Sequence, residues 1–292
     1  MLNIISNIMK KTKEHLIVYL NGKFISKSAA KISPDDRGFT LGDGVFDTLR
    51  TYHGKLFSFD RHAARLFQGL SETKISIPFD KNELRIILEN LVCKNTENDA
   101  VVRITITRGI GKGGYKFDSA TAPTVYAVTR AVPNIASLRR KGVTLSNSVI
   151  PRPLPFINVV KTISLGAMAL ARIFSNTYEV VMKDYEGKIS ECSASTLYLI
   201  KNGKVKMPFR KKILPSITCS ILCELIKIEE SDIAEKHLLN ADALFISSTS
   251  TGPIPVSLYE GRKFQTQHPI LKKIYSLYDE RIESECNQKS KL

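Results

Sequence analysis

No apolar run in this sequence of 292 residues approaches the roughly 20 residues that a helix needs to span a bilayer. The sequence also lacks internal repeats and low-complexity tracts. Its hydrophobic fraction of 43% and charged fraction of 24% are ordinary for a soluble globular protein. We therefore expect a soluble protein with no membrane partner, built as one large or two medium domains.

Cysteine is scarce, and its positions exclude two further classes of protein. Five cysteines, an odd number, do not suit a disulfide framework and predict a reducing compartment, which we take to be the cytoplasm. Cys219 and Cys223 lie one helical turn apart, but without a second pair nearby they make a poor metal site. The sequence thus predicts no metal and a packing role for these two side chains.

Acidic residues are outnumbered by basic ones, 28 against 43, which gives a formal net charge of +15. A basic surface can bind nucleic acid by releasing counterions from the phosphate backbone. The basic residues are scattered, however, and no zinc-finger, RNP or helix-turn-helix pattern accompanies them. We favour a solvated basic surface and expect no nucleic-acid partner.

The pattern of apolar and turn residues predicts mixed α and β structure. Predicted strands cover 16–24, with a hairpin turn at Asn21-Gly22, and 101–108, 123–130, 196–200 and 242–247. Predicted helices cover 60–72, 82–92, 164–176, 215–228 and 268–284, with Asp60 as an N-cap, Asp80 and Glu83 as a capping box and Pro215 in a first turn.

The segment Ala131-Val132-Pro133-Asn134 interrupts this pattern and predicts a domain boundary. We divide the chain into a loose N-terminal extension (1–16), a small N-terminal domain (17–130), a linker (131–136) and a larger C-terminal domain (137–292).

Three separated motifs supply a basic anchor, an amine and a carboxylate. They are His62-Ala63-Ala64-Arg65-Leu66, Val159-Val160-Lys161-Thr162 and Ile189-Ser190-Glu191-Cys192-Ser193-Ala194-Ser195. The apolar approach 157–160 favours partial desolvation of Lys161, which would lower its pKa toward the range of Schiff-base chemistry. Taken alone, each of these residues has an ordinary alternative: a surface lysine, an exposed helical arginine and a solvent-facing glutamate.

Together with the turn Gly42-Asp43-Gly44-Val45-Phe46-Asp47 and the segment Leu214-Pro215-Ser216-Ile217-Thr218, these motifs resemble the class IV, or fold-type IV, enzymes that use pyridoxal phosphate. That family includes branched-chain and D-amino acid aminotransferases and aminodeoxychorismate lyase. The resemblance extends over about 16–277 and rests on several motifs in family order. It implies an α/β (α+β) fold of two domains, a small N-terminal α/β domain and a larger C-terminal domain with a β-barrel-like core, and a homodimer.

The resemblance also implies which residues hold the cofactor, pyridoxal 5'-phosphate. Lys161 would form the Schiff base and move the catalytic proton, and Glu191 would pair with the pyridine nitrogen. The phosphate would be bound by Arg65, by the amides of Ile217 and Thr218, and by Ser248 and Thr249. The family's usual asparagine, glycine and arginine are replaced here by Thr196, Ser216 and Cys219. For His62 we favour a structural role.

Substrate-binding candidates lie elsewhere in the chain. Phe46, Thr48 and Arg50 share one strand face, and the resemblance implies that this face lines the substrate pocket, with Ser250 as a backbone donor. Arg103 could contact substrate or form a structural ion pair. Tyr115 belongs to the loop 107–115, which resembles the lyase loop but has Gly113 in place of its arginine; Gly113 and Tyr115 also replace the arginine and histidine of D-amino acid aminotransferases.

Three functions follow from these observations. The first choice is transfer of an amino group between an amino acid and a 2-oxo acid. The alternative is the lyase reaction that forms 4-aminobenzoate and pyruvate, because both reactions begin with removal of the Cα proton and the catalytic residues do not distinguish them. A basic nucleic-acid-binding protein that has kept only the fold is the third, and an intact Lys161 argues against it.

Overall fold

The computed structural model describes residues 16–96, 99–116, 121–153 and 160–287. The chain divides into two compact units, the first comprising Met1–Ala131 with Lys161–Ser164 and the second Val132–Val160 with Leu165–Leu292. Almost all of the predicted extension 1–16, and the apolar approach to Lys161 except for Val160, lie outside the described residues.

The first unit contains a six-stranded antiparallel sheet. Its strands are β1 (Ile17–Leu20), β2 (Lys23–Ser26), β3 (Gly44–Tyr52), β4 (Lys55–Leu56), β5 (Ala100–Thr107) and β6 (Thr124–Ala131), in the order β2-β1-β6-β5-β3-β4. Its helices are α1 (Arg37–Leu41), α2 (Phe59–Glu72) and α3 (Lys81–Asn95). Helix α2 packs on β3, whereas α3 packs on β1 and β6.

The two long helices of this unit begin for different reasons. The predicted capping box of α3 is present, because Asp80 accepts from the amides of Asn82 and Glu83, and Glu83 accepts from the amide of Asp80. The predicted N-cap of α2 is wrong. Ser58, with φ 51°, precedes the helix, and Asp60 lies in the first turn, where its charge favours the helix dipole.

Within its described residues, the second unit contains a nine-stranded mixed sheet and five helices. The strands are β7 (Val143–Asn147), β8 (Glu179–Lys183), β9 (Ile189–Cys192), β10 (Thr196–Lys201), β11 (Lys204–Met207), β12 (Ile228–Glu230), β13 (Ala243–Ser248), β14 (Gly252–Tyr259) and β15 (Arg262–Lys263). The helices are α4 (Ile135–Lys141), α5 (Gly166–Ile173), α6 (Ile217–Leu225), α7 (Glu235–Leu239) and α8 (Pro269–Cys286). The strand order is β12-β11-β10-β13-β14-β7-β8-β9, with β15 on β14.

This sheet curls into a half-barrel, and the chain path requires it. Strands β9 and β10 are five positions apart in the sheet order, which in a flat sheet is about 24 Å. Only Ser193, Ala194 and Ser195 join them, and such a link spans roughly 14 Å at most. The sheet therefore bends back on itself around a buried apolar cluster that includes Leu197, Leu244 and Ile254. The mixed α/β fold with a β-barrel-like core is confirmed.

Two predicted helices are longer than the observed ones. Helix α5 covers only Gly166–Ile173 of the predicted 164–176. Helix α6 ends at Leu225 because Ile226 is extended, and Ile228 then begins a strand beside β11. Within the described ranges, no helix combines the length and the apolar character needed to cross a membrane.

Candidate active site

The backbone around Lys161 is attached to the first turn of β3. The amide of Phe46 donates to the carbonyl of Lys161 at 2.9 Å, and the amide of Ile163 donates to the carbonyl of Gly44 at 3.0 Å. Thr162 thereby forms an antiparallel bridge with Val45. The amine of Lys161 lies 4.7 Å from the centroid of the Phe46 ring. The main chain that follows the lysine is thus fixed to the sheet.

The face of β3 that carries Phe46 also carries the predicted substrate residues. Thr48 is the cross-strand partner of Arg103, and cross-strand partners point to the same side of a sheet. The guanidinium of Arg103 lies 3.7 Å from the centroid of the Phe46 ring, and burial lowers the pKa of this arginine. The Phe46 ring therefore contacts both Lys161 and Arg103, and Thr48 lies on the same face of the sheet.

Arg50 and Tyr115 lie apart from this group. Arg50 shares the β3 face, but it is four residues, about 13 Å, further along the strand, and its guanidinium lies 4.1 Å from the centroid of the Tyr52 ring. The side chain of Tyr115 is 91% exposed. Arg50 therefore lies further along the strand than Phe46, and Tyr115 faces solvent from its loop.

The opposite face of β3 carries a buried cluster of three charged or titratable side chains. Asp47 accepts from Nε of Arg65 at 2.9 Å and from Nη2 at 2.8 Å, and its Oδ1 lies 2.8 Å from Nδ1 of His62. His62 and Arg65 are one turn apart on α2 and face the strand together. The arginine fork that the sequence assigned to the cofactor phosphate is thus engaged by a protein carboxylate.

This cluster is close to neutral. Burial alone would raise the pKa of Asp47, but the Arg65 guanidinium and His62 together lower it well below its usual value. Burial lowers the pKa of His62, although Asp47 opposes that effect. At neutral pH the ionised Asp47 therefore balances Arg65 while His62 is uncharged.

Glu191 lies in β9 and is held by an arginine that the sequence did not indicate. Its Oε1 is 2.5 Å from Nη2 of Arg152 and accepts from the amide of Leu214 at 3.1 Å. Arg152 also donates to the carbonyl of Cys192 at 3.3 Å. Glu191 is buried, so the predicted alternative of a solvent-facing glutamate is wrong. Its carboxylate is fixed in place by these donors.

A second buried carboxylate shapes the turn that follows Glu191. Glu179 accepts from the hydroxyl of Ser193, from the amide of Ala194 at 3.2 Å and from the hydroxyl of Ser195 at 3.2 Å. Thr196 then begins β10 opposite Ser247. Every residue of this short turn is therefore bonded to one side chain.

The predicted phosphate donors Ile217 and Thr218 are the first two residues of α6. The N-cap Ser216 accepts from the amide of Cys219 at 3.2 Å, which leaves the Ile217 and Thr218 amides as the start of the helix dipole. Ser216 therefore caps the helix although the family usually has glycine there.

A buried tyrosine connects this helix end to the strand β13. Burial, with Cys219 beside it, raises the pKa of Tyr198 well above its usual value, and its hydroxyl lies 3.0 Å from that of Ser247. Ser248 follows, and the amide of Thr251 donates to its carbonyl at 3.3 Å across a turn whose central residues are Thr249 and Ser250. The four predicted phosphate donors, Ile217, Thr218, Ser248 and Thr249, thus lie on two elements that Tyr198 connects.

Asp47, Arg152 and Glu179 are the site residues that sequence reasoning missed. Asp47 was quoted only as part of a turn, although its alternation with Phe46 placed it on the face toward α2. Arg152 and Glu179 carry no sequence signal, because their partners are fixed only by strand pairing within the half-barrel.

Comparisons with known proteins agree with this geometry. A family model described as amino-transferase class IV matches residues 44–259. A putative branched-chain-amino-acid aminotransferase of Methanocaldococcus jannaschii is 33% identical over 257 residues, 84% of this chain and 88% of the relative. A D-alanine aminotransferase of Listeria monocytogenes is 27% identical over 283 residues, 93% and 98% of the two chains.

The fold is also shared with solved structures. The crystal structure of the branched-chain amino acid aminotransferase of Escherichia coli aligns with a TM-score of 0.84 over 94% of this chain and 97% of its own, at 22% identity. Because the family model covers well over half of the chain and agrees with both sequence relatives, the protein belongs to the class IV aminotransferases, a family of enzymes that use pyridoxal phosphate.

Proposed function

We propose that this protein transfers an amino group between an amino acid and a 2-oxo acid, with Lys161 as the catalytic amine. The observation that carries the proposal is the backbone pairing of Lys161 with β3, which holds its amine beside Phe46 and Arg103. A general acid or base must be held within reach of one proton. A lysine on a mobile surface segment would not meet that requirement.

Bound pyridoxal phosphate would supply an aldehyde that reacts with amines and a ring that accepts electrons from the substrate Cα. We propose that Lys161 removes the Cα proton and returns it during transfer. Glu191 would accept a hydrogen bond from the protonated pyridine nitrogen. Arg152 supports this role because its contact at 2.5 Å orients the carboxylate of Glu191.

For the cofactor phosphate we propose the N-terminus of α6 and the turn after β13, with Ile217, Thr218, Ser248 and Thr249 as donors. Helix N-termini bind phosphate through their first amides and the helix dipole. Arg65 remains a candidate donor. Two nitrogens of Arg65 already bond to Asp47, so the Arg65–Asp47 pair carries little net charge. Arg65 would therefore contribute a hydrogen bond to the phosphate rather than a strong charge attraction.

For the substrate carboxylate we propose Arg103, with Phe46 and Thr48 beside it. Within the described parts of the chain, this arginine has no carboxylate in ion-pair contact. Its guanidinium lies over the Phe46 ring and donates to the hydroxyl of Thr105, the cross-strand partner of Phe46 on β5. That favours the substrate role over the structural ion pair. The relatives are named as a putative branched-chain-amino-acid aminotransferase and a D-alanine aminotransferase, which supports an apolar amino acid as substrate.

The test is product identity. Purified protein loaded with pyridoxal phosphate is incubated separately with D- and L-amino acids, each with 2-oxoglutarate or pyruvate, and with aminodeoxychorismate. We expect a new amino acid and a new 2-oxo acid from one apolar donor. Formation of 4-aminobenzoate without amino transfer would contradict the proposal and establish the lyase reaction.

We further propose that the enzyme is a cytoplasmic homodimer. The absence of disulfides among its five cysteines supports a reducing compartment. Large exposed apolar side chains support association, notably Phe39 in the first unit and Ile173 and Phe174 in the second. Sedimentation equilibrium should give twice the chain mass; a monomer at micromolar concentration would contradict the dimer.

A further inference from the structure

Three sulfur atoms meet beside the start of α6. Cys219 and Cys223 are the third and seventh residues of this helix, and Met207 is the last residue of β11. Sγ of Cys219 lies 3.7 Å from Sδ of Met207, and the thiols of Cys219 and Cys223 are hydrogen-bonded to each other. The sequence brings only the two cysteines together, and the fold adds the third sulfur.

The spacing of these sulfur atoms suits a shared metal ion. Residues four positions apart lie on one face of a helix, and two ligands with this spacing bind zinc in helical metal sites. Sulfur ligands lie about 2.3 Å from a bound ion, so two of them are about 3.8 Å apart in a tetrahedral site and about 4.0 Å apart in a trigonal one. The separation of 3.7 Å between Cys219 and Met207 is close to both values.

The type of donor determines which ion fits. Thiolate and thioether ligands are soft, and together they favour monovalent copper. The usual ligands of zinc are cysteine, histidine, aspartate and glutamate, and in the described part of the chain no three of these side chains are grouped so that they could hold a metal ion. The three sulfur donors therefore fit Cu⁺ better than Zn²⁺.

The site is buried on one side and accessible on the other. Met207 and Cys219 are 0% and 2% exposed, whereas Cys223 is half-buried. An ion would enter past Cys223 and then be shielded from water by the packing around Met207. The cluster thus has both an entry path and an apolar shell.

Neighbouring groups compensate the charge that a bound ion would leave. Both thiols bind metal as thiolates and release their protons, so Cu⁺ and two thiolates together carry one negative charge. The charge of Arg210 acts on both cysteines, although Arg210 also pairs with Glu230. The helix dipole favours negative charge in the first turn of α6, and the hydroxyl of Tyr198 hydrogen-bonds with Cys219.

We propose that Cys219, Cys223 and Met207 bind one Cu⁺ ion in a three-coordinate sulfur site at the start of α6. The site goes beyond the proposed amino-group transfer and does not depend on it, because none of the three sulfur atoms is assigned to substrate or cofactor. Cys219 stands where the family usually has arginine. The site is therefore a feature of this chain and not a general one of the family.

The test is competition for Cu⁺ in the absence of oxygen. The full chain, loaded with pyridoxal phosphate and with its five cysteines reduced, is titrated against the coloured complex of Cu⁺ with bicinchoninate. We expect one Cu⁺ per chain. Loss of an outer-shell group alone lowers metal affinity by about 10–100-fold, so we expect a fall of about 100-fold or more in Cys219→Ser and in Cys223→Ser, and of about tenfold in Met207→Leu.

Cys93→Ser and Met182→Leu are the matched controls. Cys93 is an exposed thiol on α3, and Met182 is a fully buried methionine of β8. Both variants should keep the affinity of the parent. Equal affinity in the parent, Cys219→Ser and Cys223→Ser, or an equal loss in Cys93→Ser, would show adventitious binding only and overturn the site.

X-ray absorption at the copper edge tests the site without any substitution, since loss of a buried cysteine can also disturb folding. We expect three sulfur neighbours at about 2.3 Å in the parent and two in Met207→Leu. Nitrogen or oxygen neighbours in the parent, or no binding of equimolar Cu⁺, would contradict the inference.

Discussion

At the scale of single residues, the charge balance of the site depends on which carboxylate each arginine meets. Arg65 pairs with Asp47, Arg152 with Glu191, and Arg37 and Arg108 share Asp43. Removing one member of a buried pair leaves the other charge without compensation, which costs far more than losing an exposed pair. Each arginine can therefore be tested by neutralising its carboxylate.

We predict that Asp47→Asn lowers the free energy of unfolding by about 3–5 kcal/mol, because Arg65 and His62 both lose their buried partner. Asp279→Asn is the matched control: Asp279 accepts two bonds from Arg139 but is half exposed, so its loss should cost at most about 1 kcal/mol. Urea unfolding measures both. Equal destabilisation in the two variants would show that the buried cluster contributes no more than a surface pair.

His62 should make stability depend on pH. Its folded-state pKa is lowered, chiefly by burial, so the unfolded chain binds a proton where the folded chain does not. The contribution is fully present above the ordinary histidine pKa of about 6.5 and is lost as pH falls below it, by at most about 1.4 kcal/mol per pH unit. We predict a smaller loss of stability between pH 7.5 and 5.5 in His62→Gln than in the parent. Identical pH slopes would contradict a buried neutral His62.

At the scale of elements, the start of α6 has two roles: Ser216 caps the helix, and the first amides of the helix are proposed to bind the cofactor phosphate. We predict that Ser216→Ala costs about 1 kcal/mol of stability through loss of the N-cap and also weakens retention of pyridoxal phosphate. Asn134→Ala removes the corresponding cap of α4, where Asn134 accepts from the amide of Ser137, and should cost similar stability with no effect on the cofactor. Unchanged cofactor affinity in Ser216→Ala would remove α6 from the phosphate site.

A helix or strand can be predicted from the sequence where neighbouring residues determine it, but not where distant residues that pack against it do. The capping box at Asp80 and Glu83 was predictable because a helix start is fixed by a few adjacent residues. The predicted first-turn position of Pro215 is wrong, because α6 begins at Ile217 after the N-cap Ser216. The ends of α5 and α6 were not predictable, since packing decides where those helices stop. Strands β8, β9 and β14 escaped detection because both sides of the curled sheet are largely covered there, so their burial gives no clean alternation.

The same distinction applies to the site. Lys161, Glu191 and Arg65 were found through motifs, whereas Arg152 and Glu179 are brought to their partners by pairing among β8, β9 and the segment before Lys161. Such contacts join residues 15 to 40 positions apart. A motif of adjacent residues therefore cannot predict these contacts.

At the scale of the whole molecule, we propose that the two compact units are the two domains expected from the sequence. The predicted limits 17–130 and 137–292 would then need one change, because Lys161–Ser164 belongs with the first unit. That small transfer matters for the proposed function, since it attaches the amine of Lys161, which we propose to be catalytic, to the sheet that carries Phe46 and Arg103.

The most direct test of the central claim is to locate the cofactor on the chain. The protein is loaded with pyridoxal phosphate, reduced with borohydride to make the bond to lysine permanent, digested and mapped by mass spectrometry. We predict one pyridoxyl group per chain, on Lys161, present in a Lys201→Ala control and absent from Lys161→Ala. A label on another lysine, or an undiminished label in Lys161→Ala, would contradict the account.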